Sequence, residues 1–269
     1  MATSPFVPRA RTGSPKFQKV IVSNSTKDKP VLARAPTNMP VLSAQLPTQY
    51  QSAQTKTRAC HPPLTLPTLN KLPTPVNADK LEEYLHGYPV EKVKFLVSGF
   101  KKGFSLGFEG MRQGQDCVNS KSALSRPDVI STKLQMEIAL GRFAGPFIIK
   151  PFDNLHLNPL GLVPKKDGDF RLIHNLSYSS KGLSSSINEG IPRDQATVQY
   201  EGVDQAVRGL KTLGPKSYMA KVDILQAFRQ LPVNPKDYPL LGFKWKGKFY
   251  FDLCLLMGAA SSCKTFESL

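Results

Sequence analysis

The sequence predicts a mixed α+β fold, and three observations carry that expectation. Residues 127–140 show a helical pattern, and from Pro146 onward the texture changes to short β-rich runs. Two of those runs close on glycine-containing turns, Lys166-Asp-Gly-Asp169 and Lys246-Gly247, which makes each a hairpin. The length of 269 residues, against about 150 per domain, allows one large domain or two small ones with a core of useful size.

Taken in order, residues 1–76 read as a disordered basic tail. Residues 1–75 carry ten Lys and Arg against the single acid Asp28, hold twelve of the 23 prolines, and are rich in Ser, Thr and Gln. Such a composition offers too little apolar surface to offset the entropy of ordering. Two readings of its charge stay open, a solvating tail and an electrostatic arm that scans nucleic acid. Residues 77–145 read as a helical extension. Asn77 is a plausible N-cap for a short helix with Leu81, Tyr84 and Leu85, and Pro89 opens a second helix with Val90, Val93, Phe95, Leu96 and Val97. The glycines between Gly99 and Gly110 match neither the dinucleotide nor the Walker spacing, so a turn with Phe100, Phe104 and Phe108 packed beneath it is expected. A third helix spans 127–140, with Pro127 at its first position, Ile130, Leu134 and Ile138 four residues apart, and Gly141 as its stop.

Residues 146–269 hold the hairpins 160–174 and 241–253, a strand at 218–224 leading into a helical turn at 226–230, and a closing helix from Ala260. The chain carries 36 Lys and Arg against 20 Asp and Glu, a net charge of +16, which favours polyanionic partners. Its four cysteines (Cys60, Cys117, Cys254, Cys263) show no Cys-x-x-Cys spacing, so neither a disulfide framework nor a zinc module is expected. The longest apolar run, 251–260, contains Asp252 and is half the roughly 20 residues of a membrane span. No secretory pattern opens the sequence. The expected location is therefore intracellular, cytoplasmic or nuclear, with no membrane and no secretion.

Chemistry concentrates in three segments. Asp223 ends an apolar strand and is followed at +4 and +5 by Ala227 and Phe228. A carboxylate so placed either caps the following turn or projects into a cleft where a divalent cation balances it. Lys165, Lys166 and Arg171 lie on one hairpin, a cationic finger suited to a triphosphate. Leu256-Met257-Gly258-Ala-Ala-Ser261 places small residues where a planar base can approach the backbone.

In this order, the three segments resemble the fingers and palm of reverse transcriptases. The hairpin is similar to their Lys-Lys-x-Gly-x-x-Arg segment, the strand around Asp223 to palm motif A, and the terminal stretch to motif B. The wording of Leu160-Gly-Leu-Val-Pro-Lys-Lys166, Phe170-Arg-Leu-Ile-His-Asn-Leu-Ser177 and Met257-Gly-Ala-Ala-Ser-Ser-Cys263 is most similar to retrotransposons of the DIRS order, which pair a reverse transcriptase with a tyrosine recombinase. The likeness is clear over 159–269, weaker back to about residue 77, and absent from 1–75.

The resemblance implies fingers and a partial palm of a right-hand polymerase, with template-primer RNA or DNA and dNTPs as partners. Asp223 would hold two Mg²⁺ ions, with the Ile224 backbone carbonyl completing one shell. Phe228 would be the steric gate against a ribose 2′-hydroxyl. Lys165 and Arg171 would clamp the triphosphate, and Met257 and Gly258 would line the dNTP pocket. Ser261 and Lys264 would touch the template strand.

The sequence departs from the family pattern in three ways. Leu256 and Cys263 stand where prolines are common and Met257 where Gln or Phe is common; Asn175 and Ser177 replace an acid and an Arg. Most important, no Asp-Asp pair occurs, so motif C is missing. One carboxylate does not hold two ions well, so these residues alone are expected to lack polymerase activity. The rest of the palm, the thumb, RNase H and recombinase are expected in a parent polyprotein. The alternative is a truncated or co-opted, non-enzymatic nucleic-acid-binding protein.

Overall fold

The computed structural model describes residues 18–23, 72–180 and 185–269. They belong to two units: one holds 72–199 and Ile224–Leu269, the other strand β1 (Gln18–Ser23) and Tyr200–Asp223. The fold is α+β, and the named strands among the described residues pair antiparallel.

In the larger unit, α1 (Ala78–Tyr84) starts where expected. The Asn77 side chain accepts hydrogen bonds from the backbone N–H groups of Asp79 and Lys80. Helix α2 (Val90–Lys102) packs on it through Leu85, Leu96 and Val97. Here the structure corrects the expected turn, because Gly99 and Phe100 are helical and the turn begins at Gly103. The reason is the Phe104 ring, which folds back over Gly99 so closely that a β-carbon there would lie 2.1 Å from it. Burial of that ring outweighs the glycine's helix penalty of about 1 kcal/mol. Phe104 and Phe108 are buried, as expected.

After the single turn α3 (Lys121–Leu124), helix α4 (Pro127–Ala139) matches its sequence pattern, with Ile130 and Leu134 buried and Ile138 partly covered. Strand β2 (Phe143–Phe147) then leads to the expected hairpin of β3 (Leu160–Pro164) and β4 (Phe170–His174), in register from Leu160 opposite His174 to Pro164 opposite Phe170. Beyond α5 (Arg193–Ala196), the second unit contributes α6 (Val203–Leu213) and β5 (Tyr218–Asp223). Strand β5 pairs with β1, from Gln18 opposite Asp223 to Ser23 opposite Tyr218. Thus one strand forms within the segment expected to lack order; the rest of residues 1–71 lies outside the described residues.

Back in the larger unit, two 3-10 turns (Ala227–Gln230 and Pro235–Leu241) precede the second hairpin, β6 (Gly242–Trp245) and β7 (Lys248–Asp252). Strand β7 is central in the sheet order β2-β7-β6. Helix α7 (Ser262–Glu267) begins two residues later than expected. One core gathers around Leu106, Phe147, Leu231, Phe251 and Leu255; a second lies between α4, the β3–β4 hairpin and Phe243, Trp245 and Tyr250.

A polar hub joins the two hairpins. The Gly242 carbonyl accepts from the Asn158 backbone N–H at 2.9 Å, from Asn158 Nδ2 at 3.2 Å and from His174 Nε2 at 3.2 Å. A carbonyl only accepts, so the Nε2 of His174 carries the proton and the neutral ring leaves Nδ1 bare. Burial pushes the His174 pKa down to about 4. An unfolded chain therefore takes up the proton first, and the stability held above pH about 6.5 is lost as pH falls through 4. At about 1.4 kcal/mol per pH unit, that loss is roughly 3 kcal/mol. Unfolding free energies measured against His174→Gln from pH 7 to pH 4 are expected to converge by this amount. A pH-independent difference would contradict the assignment.

Candidate functional site

Asp223 is the last residue of β5 and is exposed, which suits a carboxylate that meets a ligand. Ile224 and Leu225, also exposed, open the return of the chain into the larger unit. Gln226 then takes the left-handed conformation (φ 51°) that turns the backbone into the helical turn Ala227–Gln230. Phe228 on this turn is 4% exposed, and its ring meets Phe266 of α7 edge-on at 5.8 Å.

The cationic hairpin carries its own counter-charge. Lys165 Nζ lies 2.6 Å from Asp169 Oδ2, and Lys133 of α4 reaches Oδ1 of the same carboxylate at 2.9 Å. Those two lysines hold the Asp169 carboxyl well below its ordinary range. A triphosphate drawing on Lys165 must therefore compete with Asp169. Arg171 is half-buried on β4 opposite Val163, and Lys166 is exposed at the turn.

The third segment is held against the end of this hairpin. A β-carbon on Gly258 would lie 2.5 Å from the His174 carbonyl oxygen, so only glycine allows the approach. Asn188 fixes the same turn: its Nδ2 donates to the Gly258 carbonyl at 2.8 Å and to Ser177 Oγ at 2.8 Å, while its Oδ1 accepts from Ala260 N–H at 2.9 Å. Met257 is left exposed beside it. Gly258→Ala is expected to cost about 1–3 kcal/mol through forced displacement, read as a lowered denaturant midpoint; an unchanged midpoint would contradict the contact. Ser261, in contrast, is 3% exposed, and its hydroxyl has no partner among the described residues. Lys264 is exposed in part and donates to the Asp194 carbonyl. The burial of Phe228 and Ser261 differs from the expectation that both face a substrate. Phe228 sits where α7 packs on the Ala227–Gln230 turn, and its contact with Phe266 draws it inward, while Ser261 lies just before the first residue of α7.

Sequence reasoning missed the most strongly built polar cluster. Asp252, read only as an interruption of an apolar run, is 1% exposed and accepts from Arg229 Nη1 at 2.8 Å on both oxygens. Arg229 Nη2 donates to Glu137 Oε2 at 2.8 Å, and the guanidinium lies over the Phe143 ring. Burial pushes the Asp252 carboxyl up to about 6, against the pull of Arg229. The available signal was a lone acid in the apolar run 249–256, which needs a buried cation. Asn188 offered no comparable signal.

A carboxylate such as that of Asp223 and a backbone carbonyl such as that of Ile224 are each an oxygen ligand of the kind Mg²⁺ takes. Among the described residues, no three of His, Cys, Asp and Glu gather where they could hold a metal ion. One carboxylate does not fit a pair of divalent cations, so these residues do not by themselves make a two-metal centre. No helix among the described residues is long and apolar enough to cross a membrane.

No family model matches the chain, and no curated protein matches it. Among solved structures it is similar to native prototype foamy virus protease-reverse transcriptase, with 20% identity and a TM-score of 0.39 over 60% of this chain and 19% of that one. It is also similar to the foamy viral protease-reverse transcriptase dRH in complex with double-stranded DNA, with 15% identity and a TM-score of 0.41 over 77% of this chain and 36% of that one. The form in complex with an RNA/DNA hybrid matches at 13% identity and a TM-score of 0.39, over 80% and 28% of the two chains. The chain thus spans 19 to 36% of the length of these proteins.

Proposed function

We propose that this chain supplies the fingers and the first part of the palm of a retroelement RNA-directed DNA polymerase, with motif wording most similar to the DIRS order. The observation that carries the reading is the ordered set of three segments: the Lys165 to Arg171 hairpin, Asp223 with Phe228 five residues on, and the Met257-Gly258 turn. Contact between Gly258 and the His174 carbonyl supports it, because it joins the hairpin to the turn.

In this reading, Lys165 and Arg171 bind the triphosphate of an incoming dNTP and offset its charge. Met257 and Gly258 form a wall against the base, and Lys264 meets the template strand. Phe228 excludes a ribose 2′-hydroxyl once the pocket forms beside it. Asp223 is one of the carboxylates for Mg²⁺; the others come from an aromatic-x-Asp-Asp segment in the same protein. A protein carrying this chain together with such a segment is expected to extend a DNA primer on an RNA template with dNTPs and Mg²⁺. Failure to extend would overturn the reading. These 269 residues alone are expected to give no extension.

A further inference from the structure

Arg229 follows Phe228 directly, and no role in nucleotide binding is assigned to it. Its guanidinium spans two carboxylates from distant parts of the chain, Asp252 of β7 and Glu137 of α4, with every contact at 2.8 Å. Glu137 Oε1 in turn faces Arg142 Nη1 at 3.9 Å, and Arg142 donates to Gln226 Oε1. The charges alternate along Arg142, Glu137, Arg229 and Asp252, so the four sum to zero. Asp252 is buried and the other three are partly covered, and each ion has a counter-ion that offsets its lost hydration. Gln226 and Arg229 flank Ala227 and Phe228, so the anchors grip both ends of the turn. Thr74 adds a third tie, its hydroxyl donating to the Gln230 carbonyl at 3.0 Å.

We propose that Arg229 is a positioning residue that clamps the Ala227–Gln230 turn to α4 and β7 and thereby sets the placement of Phe228. The significance given to Phe228 rests on the polymerase reading; the clamp itself does not. Arginine is required because its planar fork reaches two carboxylates at once, whereas a lysine ammonium is a single point charge.

Amide hydrogen exchange on the whole chain tests the clamp without any nucleotide. The Arg229 and Leu231 amides are the reporters, since they bond to the Gln226 and Phe228 carbonyls within the turn. In Arg229→Lys their exchange is expected to speed up at least tenfold, with the amides of the β3–β4 hairpin unchanged. Should Arg229→Lys fail to fold, the paired replacement Arg229→Met with Asp252→Leu serves, because swapping a whole buried ion pair for apolar groups is often tolerated. It is expected to retain the hairpin's protection and still release the Leu231 amide. Unchanged exchange in the turn, or equal acceleration in turn and hairpin, would overturn the proposal. A separate readout keeps the two ideas apart. In a protein that also carries an aromatic-x-Asp-Asp segment, Arg229→Lys is expected to lower the preference for dTTP over UTP more than the rate with dTTP. Absence of extension by the unaltered protein would count against the polymerase reading and leave the exchange result to decide the clamp.

Discussion

Asp223→Asn is expected to abolish nucleotide addition in a protein that carries this chain with an aromatic-x-Asp-Asp segment, while leaving the fold intact. The substitution keeps the shape of the side chain and removes only its charge. Asp223 is exposed at the end of β5, and it belongs to none of the apolar cores. A surface replacement of this kind shifts stability by about 0.5 kcal/mol or less. Loss of activity with an unchanged melting temperature would therefore report the carboxylate itself. A cation site that depends on this charge has no substitute in the neutral amide, which is a far weaker ligand for a hard divalent ion. Primer extension on an RNA template, measured beside thermal unfolding, checks both halves. Undiminished extension would remove Asp223 from the proposed site.

Asp252→Ala is expected to be the most damaging single change to the fold, at about 3–5 kcal/mol, the usual cost of breaking a buried ion pair from one side. Arg229 keeps Glu137 as its counter-ion but loses the carboxylate that received two of its three shortest bonds. The Cys254 backbone N–H, which donates to Asp252 Oδ1 at 3.1 Å, loses its acceptor as well. Domains typically hold about 5–15 kcal/mol in total, so this loss removes a large share of the stability. Adding Arg229→Met removes the stranded charge and is expected to recover part of the loss. Chemical denaturation of the two variants gives the comparison. If the double variant is less stable than Asp252→Ala by the full additive amount, the pair is not coupled in the way the geometry implies.

The contrast between Asp223 and Asp252 shows how much of the site was legible in the sequence. Asp223 was found from its neighbours in the chain: an apolar strand before it, Ala227 and Phe228 after it. Asp252 has an equally informative context, a lone acid among aromatic and aliphatic residues, yet nothing nearby in the sequence says which cation answers it. Its partner is 23 residues away, and that partner's second carboxylate is 92 residues away. Asn188 is 70 residues from the Gly258 carbonyl it holds. The Lys165 to Asp169 pair lies within a single hairpin turn, but Lys133 joins the same carboxylate from 36 residues away and only through the packing of α4 on that hairpin.

By itself, the sequence determined what depends on a few adjacent residues. The Asn77 cap, the opening of α4 at Pro127, the two glycine-turned hairpins and the helical turn after Asp223 all appear as the local patterns require. Backbone sterics, capping hydrogen bonds and hydrophobic period act over less than about two helical turns, and they can be read along the chain. Only the tertiary structure decided that Phe228 and Ser261 lie in the interior, that β1 pairs with β5, and that Arg229 answers both Asp252 and Glu137. Those outcomes depend on which apolar faces bury against each other. A buried charge takes as its partner whatever counter-ion that packing brings within reach, however distant in sequence.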